Sequence, residues 1–385
     1  MPNLKVGLIG CGNVVSYGHK PALTTLPDVE LVALADVTEA RRKIGQEWFG
    51  LADENLYSDY RQVLARADVE AVAVTVPQSF RREIVLDAIQ AGKHVLSEKP
   101  IALTPAIADE LAGAAEVKGL TFGMVHNYHF LPEYRRIKEL LVSGPIGNLR
   151  VLTMHYLGVI DNPGAAEYKA DWRHTMQAGG GVLMDMIHAV YLCEWLFGDQ
   201  PQQVMAFVDA PTYAARGPVI EDLALVQIAF PSGYATIHMG WGQGVGGVDA
   251  SGSEGHLRMR YNQYQTSGFN QPAELYSVRN WERQDHALDN LPTHMDNIAR
   301  SFTQLWGDFR DAIREKRTPI APARAGQRAL DVALGAYLSG VTGQVVTLPL
   351  DKQNPVYQKG IDGIQDIAAW EHSRTKKAGL FGLRE

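Results

Sequence analysis

The first 125 residues alternate short apolar runs with segments of helical length, and the first joint between them carries glycines. Leu4-Lys-Val-Gly-Leu-Ile-Gly10 is an apolar run that ends in Gly10-Cys11-Gly12, and a helix-compatible stretch follows to Leu26. In such a strand, turn and helix, Gly10 permits the tight turn and Gly12 lets the backbone approach a pyrophosphate at the helix N-terminus. The third small position of the pattern falls on Val15, a departure, so a supporting acidic residue is needed. Asp36 supplies it, at the end of the strand pattern Val29-Glu-Leu-Val-Ala-Leu-Ala-Asp36. A carboxylate there accepts hydrogen bonds from both adenosine ribose hydroxyls and repels a 2′-phosphate, so NAD is expected over NADP. Arg41 and Arg42 argue the other way, but in the following helix they read more simply as a solvated face.

The alternation continues with a helix at 38-49, a strand near 55-57, a helix at 58-66, a strand at 70-75 and a helix at 79-91. A strand at 93-97, a helix at 104-117 and a strand at 120-125 complete it. Repeated units of this length predict a parallel, doubly wound sheet, in which ligands lie beyond the carboxyl ends of the strands. Those ends are Gly10 to Val15, Asp36, Thr75 to Gln78, Glu98 to Pro100 and His126 to Tyr128. The expected cofactor contacts are therefore Gly10, Gly12, Asn13, Val14, Asp36, Thr75, Pro77, Glu98, Lys99 and Asn127. Lys99 precedes a proline, which holds it extended and restricts its side chain, and the Lys-Pro bond is one that can be cis.

After about residue 124 the pattern changes. Leu149 to Leu157, Gln203 to Asp209, Asp222 to Phe230, Tyr234 to Trp241, His256 to Tyr261 and Glu274 to Arg279 read as strands. Pro231-Ser232-Gly233 joins two of them as a hairpin, so this sheet is expected to be large and mostly antiparallel. Helices are expected at 132-143, 180-197, 294-316 and 323-341. The glycine-rich stretch Gly240 to Gly255 reads as a mobile loop. The fold class predicted is thus α/β, with an N-terminal Rossmann doubly wound parallel-sheet domain (1-124) and a C-terminal α+β domain (125-349) with a large, mostly antiparallel open sheet. Helices near 294-341 are placed to pack back on the first domain, and 350-385 reads as a tail.

Within the second half, Asp171-Trp-Arg-His174 precedes Gly179-Gly-Gly-Val-Leu-Met-Asp185-Met-Ile-His188. The glycines permit an abrupt entry into a helix, where Asp185 and His188, three apart, would share a face. Histidine is suited to exchange a proton near neutral pH, and a nearby carboxylate would orient it. The same pair on a helix also serves ordinary structural hydrogen bonding. Tyr128, Trp172, Arg173 and His174, with Asn127, bring hydrogen-bonding groups and aromatic faces and are candidate substrate contacts. His126 and His129 stand apart from cysteines and clustered carboxylates, so no metal is expected.

A net charge of -7 argues against a nucleic-acid partner, which calls for a basic face. No apolar run reaches the roughly 18 residues of a membrane span. The amino terminus runs into a strand pattern without a leader, and Cys11 and Cys193 make no disulfide framework, so a reducing cytoplasm is the expected location.

Together, Gly10-Cys-Gly12, Asp36, Glu98-Lys-Pro100, Trp172-Arg173 and Gly179-Gly-Gly with Asp185 and His188 resemble the Gfo/Idh/MocA oxidoreductase family, over nearly the whole chain. Glu254-Gly-His-Leu, Asp311 to Pro319 and Ser339-Gly-Val-Thr-Gly extend the likeness. Departures are Val15, Arg81 where many members carry a histidine, His129 where an arginine is common, and His188 three rather than four residues after the aspartate. The resemblance implies a nicotinamide cofactor, redox chemistry at a carbon of a small-molecule sugar or cyclitol, and a homodimer or homotetramer. It makes Lys99, Asp185 and His188 the catalytic set. His188 would take the hydroxyl proton, Lys99 would stabilise the reacting oxygen, and Asp185 would bind a neighbouring hydroxyl or orient His188. Lys99, Asp185 and His188 then also touch substrate. Two rival readings remain: a retained NAD that oxidises a sugar transiently so that elimination or epimerisation follows, which uses the same residues, and a dinucleotide-binding sensor that does no chemistry, which the presence of Lys99, Asp185 and His188 disfavours.

Overall fold

The computed structural model describes residues 2–159, 179–210, 221–241, 244, 246–261 and 272–364. They fall into two compact units. The first holds the chain up to Ala102, then Ile107–Leu131 and Met295–Gln327; the second holds Leu103–Ala106, Pro132–His294 and the chain from Arg328 onward.

In the first unit, β1 (Leu4–Ile9), β2 (Val29–Ala35), β3 (Leu56–Tyr57), β4 (Ala71–Val74), β5 (His94–Ser97) and β6 (Phe122–Met124) form one sheet in the order β3-β2-β1-β4-β5-β6. All neighbours are parallel. Helices α1 (Lys20–Thr25), α2 (Glu39–Phe49), α3 (Tyr60–Leu64), α4 (Gln78–Gln90) and α5 (Pro105–Lys118) make the crossovers. Every residue of β4 is buried, which is why Ala-Val-Ala-Val reads as unbroken apolar sequence: a parallel sheet is covered on both faces. The strand order reverses between β1 and β4, and that reversal opens a crevice at their carboxyl ends. The helix expected to run to Leu26 is wound in two pieces, a π-helical turn over Val15–His19 and then α1. The wide turn begins at the position where Val15, fully buried, replaces a small residue.

Helix α6 (His294–Glu315) joins this unit for nearly all its length, in line with the expectation that helices near 294-341 pack back on the first domain. Its Ile298, Phe302, Leu305, Trp306 and Phe309 are buried. They recur at helical spacing and make one apolar stripe, and Phe309 lies against Gly123 of β6.

The second unit is built on a nine-stranded sheet. Its strands are β7 (Leu149–Val159), β8 (Gln203–Asp209), β9 (Leu223–Phe230), β10 (Gly233–Trp241), β11 (Gly246–Gly252), β12 (Gly255–Tyr261), β13 (Pro272–Arg279), β14 (Glu282–Asp285) and β15 (Val346–Thr347). The order is β14-β13-β12-β11-β7-β10-β9-β8-β15. Only β7 and β10 pair in parallel; the other neighbours are antiparallel. Burial alternates along β8 and β9, as expected of a sheet packed on one side. Helix α7 (Ala323–Thr342) lies on the packed side, where Ser339 Oγ accepts the Ala206 N–H at 3.0 Å. The other side leaves Phe207, Leu225 and Tyr234 exposed.

Three expectations need correction. The stretch 240-255 is not simply a loop, because β11 lies within it, between β7 and β12 in the sheet. Its glycines serve close backbone approach instead: a Cβ on Gly252 would sit 2.1 Å from the Ile146 carbonyl oxygen. Strand β14 went unseen because all four of its residues are exposed and polar, so it carries no apolar alternation. The chain after Pro349 is not all tail: Val356, Tyr357, Ile361 and Ile364 are buried in the second unit, and 365-385 lie outside the described residues.

Candidate active site

Three turns lie side by side at the carboxyl edge of the parallel sheet, one each after β1, β4 and β5. Gly10 leaves β1 at φ 93°, a conformation that a side chain would strain, and its missing Cβ would also lie 3.1 Å from Thr75 Oγ1. Thr75 is buried and donates its hydroxyl to the Gly10 carbonyl at 2.6 Å, tying the β1 and β4 turns together. Gly12 differs from Gly10. A Cβ there would meet no protein atom within 4 Å, so internal packing does not demand glycine at that position. Asn13 is exposed and Val14 half-buried at the start of the wide turn.

Asp36 closes this turn from the end of β2. One carboxylate oxygen accepts the Cys11 N–H at 2.8 Å and the other accepts the Thr38 N–H at 2.8 Å. The group is only half-buried, and each oxygen keeps lone-pair capacity for a further donor. The Arg42 side chain is spent on the Asp36 carbonyl at 2.7 Å, and Arg41 Nη2 reaches Asn13 Oδ1 at 3.4 Å. Burial pushes the Cys11 thiol up to about 11, with the Asp36 charge adding to the effect. An open face at Gly12, donor groups at a helix start and a carboxylate at the second strand fit a dinucleotide.

The third turn carries Glu98-Lys99-Pro100, with the Lys99-Pro100 peptide cis. Arg81, fully buried on α4, pins it. Its Nε donates to the Val76 carbonyl at 2.8 Å, and its Nη1 donates to the Glu98 carbonyl at 2.8 Å and to the Pro100 carbonyl. Burial pulls this guanidinium down to about 10, opposed by the Glu98 charge, so it stays a cation at neutral pH. Glu98 is itself buried: Oε2 accepts the Lys99 N–H at 3.2 Å and Oε1 meets His19 Nε2 at 3.2 Å. The Lys99 side chain is half-buried. Pro77 is exposed at the start of α4. Asn127 and Tyr128 are buried in a 3-10 turn after β6, and Asn127 Nδ2 donates to Ser301 Oγ of α6 at 3.1 Å.

In the second unit, the glycines before Val182 do make the abrupt entry expected of them, with φ 99° at Gly179 and 134° at Gly180. The helix that follows is not continuous. Val182–Asp185 forms one turn, and a new helix runs from His188 to Phe197. Asp185 therefore ends one helix and His188 opens the next, so they do not share the face of a single helix as expected. His188 is buried, and its Nδ1 lies 2.6 Å from the Tyr191 hydroxyl, which orients the ring. Asp185 is half-buried. Trp172, Arg173 and His174 lie outside the described residues. Among the described residues no three His, Cys, Asp or Glu side chains are grouped as a metal ion would require.

Sequence reasoning missed Glu221, which is completely buried under this segment. Its carboxylate accepts the Gly181 N–H at 2.8 Å, the Leu183 N–H at 2.9 Å and the Tyr337 hydroxyl at 2.6 Å. Any side chain on Gly181 would collide with Glu221, since a Cβ would sit 2.1 Å from its carbonyl oxygen. Burial pushes the Glu221 carboxyl up to about 7, against the three donors. Also missed were His19, Trp306 and Tyr191. His19 and Trp306 had no local signal, because they meet across most of the chain's length; Tyr191, three residues after His188, had the helical spacing that could have found it.

Comparison with known proteins bears on both units. The family model described as oxidoreductase family, NAD-binding Rossmann fold, matches residues 4–126. The model described as oxidoreductase family, C-terminal alpha/beta domain, matches residues 138–348. A dTDP-3,4-didehydro-2,6-dideoxy-alpha-D-glucose 3-reductase from Actinomadura kijaniata is 30% identical over 311 residues, 78% of this chain and 85% of that protein. A myo-inositol 2-dehydrogenase from Thermotoga maritima is 28% identical over 235 residues, 60% of this chain and 66% of that protein. Among solved structures, an aldose-aldose oxidoreductase from Caulobacter crescentus is similar in fold, with a TM-score of 0.77 at 22% identity, covering 90% of this chain and 100% of that one. With both family models matched in order along the chain, the glycine turn, the pinned Lys99 and the mixed nine-stranded sheet have one common explanation: the chain belongs to the Gfo/Idh/MocA family of oxidoreductases.

Proposed function

We propose that the protein is an NAD-dependent oxidoreductase that moves a hydride between nicotinamide and a secondary alcohol carbon of a sugar, sugar derivative or cyclitol. The observation that carries this reading is the cross-linking of three turns at the sheet edge. Thr75 ties the glycine turn to the β4 turn, and Arg81 ties the β4 turn to Lys99. The backbone that carries Lys99 is thereby held beside the glycine turn that would take the dinucleotide. The relatives named as a sugar 3-reductase and an inositol dehydrogenase support the substrate class.

Gly10, Gly12, Asn13, Val14, Thr75, Pro77, Glu98 and Asn127 would hold the dinucleotide, and Asp36 would take the ribose hydroxyls, which favours NAD over NADP. The bound nicotinamide supplies a hydride acceptor or donor. Oxidation of an alcohol also requires that its hydroxyl proton leave, otherwise the product would be a protonated ketone. His188, oriented by Tyr191, takes that proton. Lys99 donates a hydrogen bond to the reacting oxygen and stabilises the negative charge that develops on it. Asp185 binds a neighbouring hydroxyl or orients His188. Tyr128, Trp172, Arg173 and His174 complete the substrate contacts.

The test is a spectrophotometric screen of NAD and NADP against sugars, sugar acids and inositols. Stoichiometric NADH supports the dehydrogenase. Turnover without net NADH replaces it with a retained-cofactor cycle. Tight NAD binding with no turnover across the panel replaces it with a sensor. The exposed sheet face around Phe207, Leu225 and Tyr234 we assign to a second copy of this chain, which the mass in solution tests.

A further inference from the structure

We propose that His19 is a positioning residue for Lys99, acting through Glu98, and that Trp306 sets the tautomer in which it does so. The inference deepens the functional reading above and rests on it for the catalytic role of Lys99. It begins with a fact of donor chemistry. An indole N–H can only donate. Trp306 Nε1 lies 3.1 Å from His19 Nδ1, so Nδ1 is the acceptor and the ring proton sits on Nε2. That nitrogen faces Glu98 Oε1 at 3.2 Å and donates to it. The other Glu98 oxygen accepts the main-chain N–H of Lys99 at 3.2 Å. An unbroken line of hydrogen bonds therefore runs from α6 through the wide turn after β1 to the peptide of Lys99, with the Glu98 carboxylate accepting from both sides.

Burial makes each link matter. Trp306 and His19 have no exposed surface and Glu98 has 6%, so water cannot substitute for a lost partner. The imidazole cannot swing away, because Phe302 and Trp306 meet it edge-on with ring centroids at 5.1 Å and 5.9 Å. Nor does it need a charge to hold Glu98, since the Arg81 guanidinium, hydrogen-bonded to the Glu98 carbonyl, supplies a positive charge that the Glu98 carboxylate feels. A protonated His19 would turn Nδ1 into a donor facing the indole N–H. His19 is thus a neutral relay with one permitted orientation, and what it orients is the carboxylate that fixes the peptide carrying Lys99.

The full chain is compared with His19→Leu and His19→Gln. Leucine fills similar space but cannot donate, whereas the glutamine amide N–H reaches the place of Nε2 and restores the donor to Glu98. Two quantities are read: exchange of the Lys99 backbone amide, and kcat against cofactor affinity on a substrate that the wild type turns over. Leucine should speed Lys99 amide exchange and lower kcat, each by about tenfold, with cofactor affinity within about threefold. Glutamine should restore both to within about threefold. Imidazole 15N shifts of the wild type should show a neutral ring protonated at Nε2.

Wild-type exchange and kcat in the leucine variant, or a glutamine variant as impaired as the leucine one, would overturn the proposal. A wild-type ring protonated at Nδ1 would do so too. Faster exchange with unchanged kcat would remove the catalytic role. If the leucine variant does not fold, the ring shifts and the glutamine variant decide. If the wild type turns over nothing, the functional reading fails and the positioning of Lys99 is still decided by amide exchange.

Discussion

Glu221→Gln should alter the pH dependence of stability in the second unit by an amount that follows from its surroundings. The carboxyl is fully buried and raised from 4.5 to about 7. Its neutral form is therefore favoured in the folded state. The stability this supplies is fully present below the unfolded value near 4.5 and is lost as pH rises through the folded value near 7. A gap of two to three pH units corresponds to about 3 kcal/mol, most of which disappears between about pH 5 and about pH 8. Glutamine does not titrate. It also turns an amide N–H toward one of the two backbone donors at Gly181 and Leu183, an offset of about 1–3 kcal/mol that does not depend on pH. Urea unfolding of both proteins at the two pH values isolates the effect, because every other titrating group cancels in the difference. The variant should gain about 2–3 kcal/mol on the wild type between about pH 5 and about pH 8. A difference constant across that range to within about 0.5 kcal/mol would show that Glu221 does not titrate there, and the argument from its burial would fail.

Lys99→Met should lower kcat by about two to three orders of magnitude while leaving cofactor affinity within a few-fold, as removal of a fixed donor to a developing oxyanion does; a KM effect alone would contradict that role. Gly12→Ala should leave the melting temperature unchanged, because the new methyl meets no protein atom, yet weaken NAD binding by about tenfold or more where the backbone must approach a pyrophosphate. Equal loss of both would place the need for glycine in the fold. Asp36→Ser should erode the preference for NAD over NADP, measured as the ratio of kcat/KM values, and an unchanged ratio would reassign the ribose site. Cys11, buried and pushed up to about 11, should react with a thiol reagent at neutral pH only as fast as the unit opens. Tyr234→Glu should lower the mass in solution if the exposed sheet face holds a second copy.

The parallel sheet, its crossovers and the glycine turn were legible in the sequence because local patterns create them. A covered strand must be apolar throughout, a tight turn needs glycine, and a carboxylate at the end of the second strand has a fixed place. Lys99 stood out for the same reason, through the proline beside it. Patterns of this kind are blind to pairings between distant residues. The strand hidden among the glycines before Gly255 looked like a loop because glycine there answers to the Ile146 backbone, which only the folded sheet brings close. The break between Asp185 and His188 leaves no mark in a run that is apolar on both sides of it. What secures the two candidate sites is likewise tertiary. Trp306 reaches His19 from a helix near the far end of the chain, and Tyr337 and Glu221 reach the segment before His188. Burial sets the strength of those contacts, and burial is a property that no residue possesses until its neighbours in space are in place.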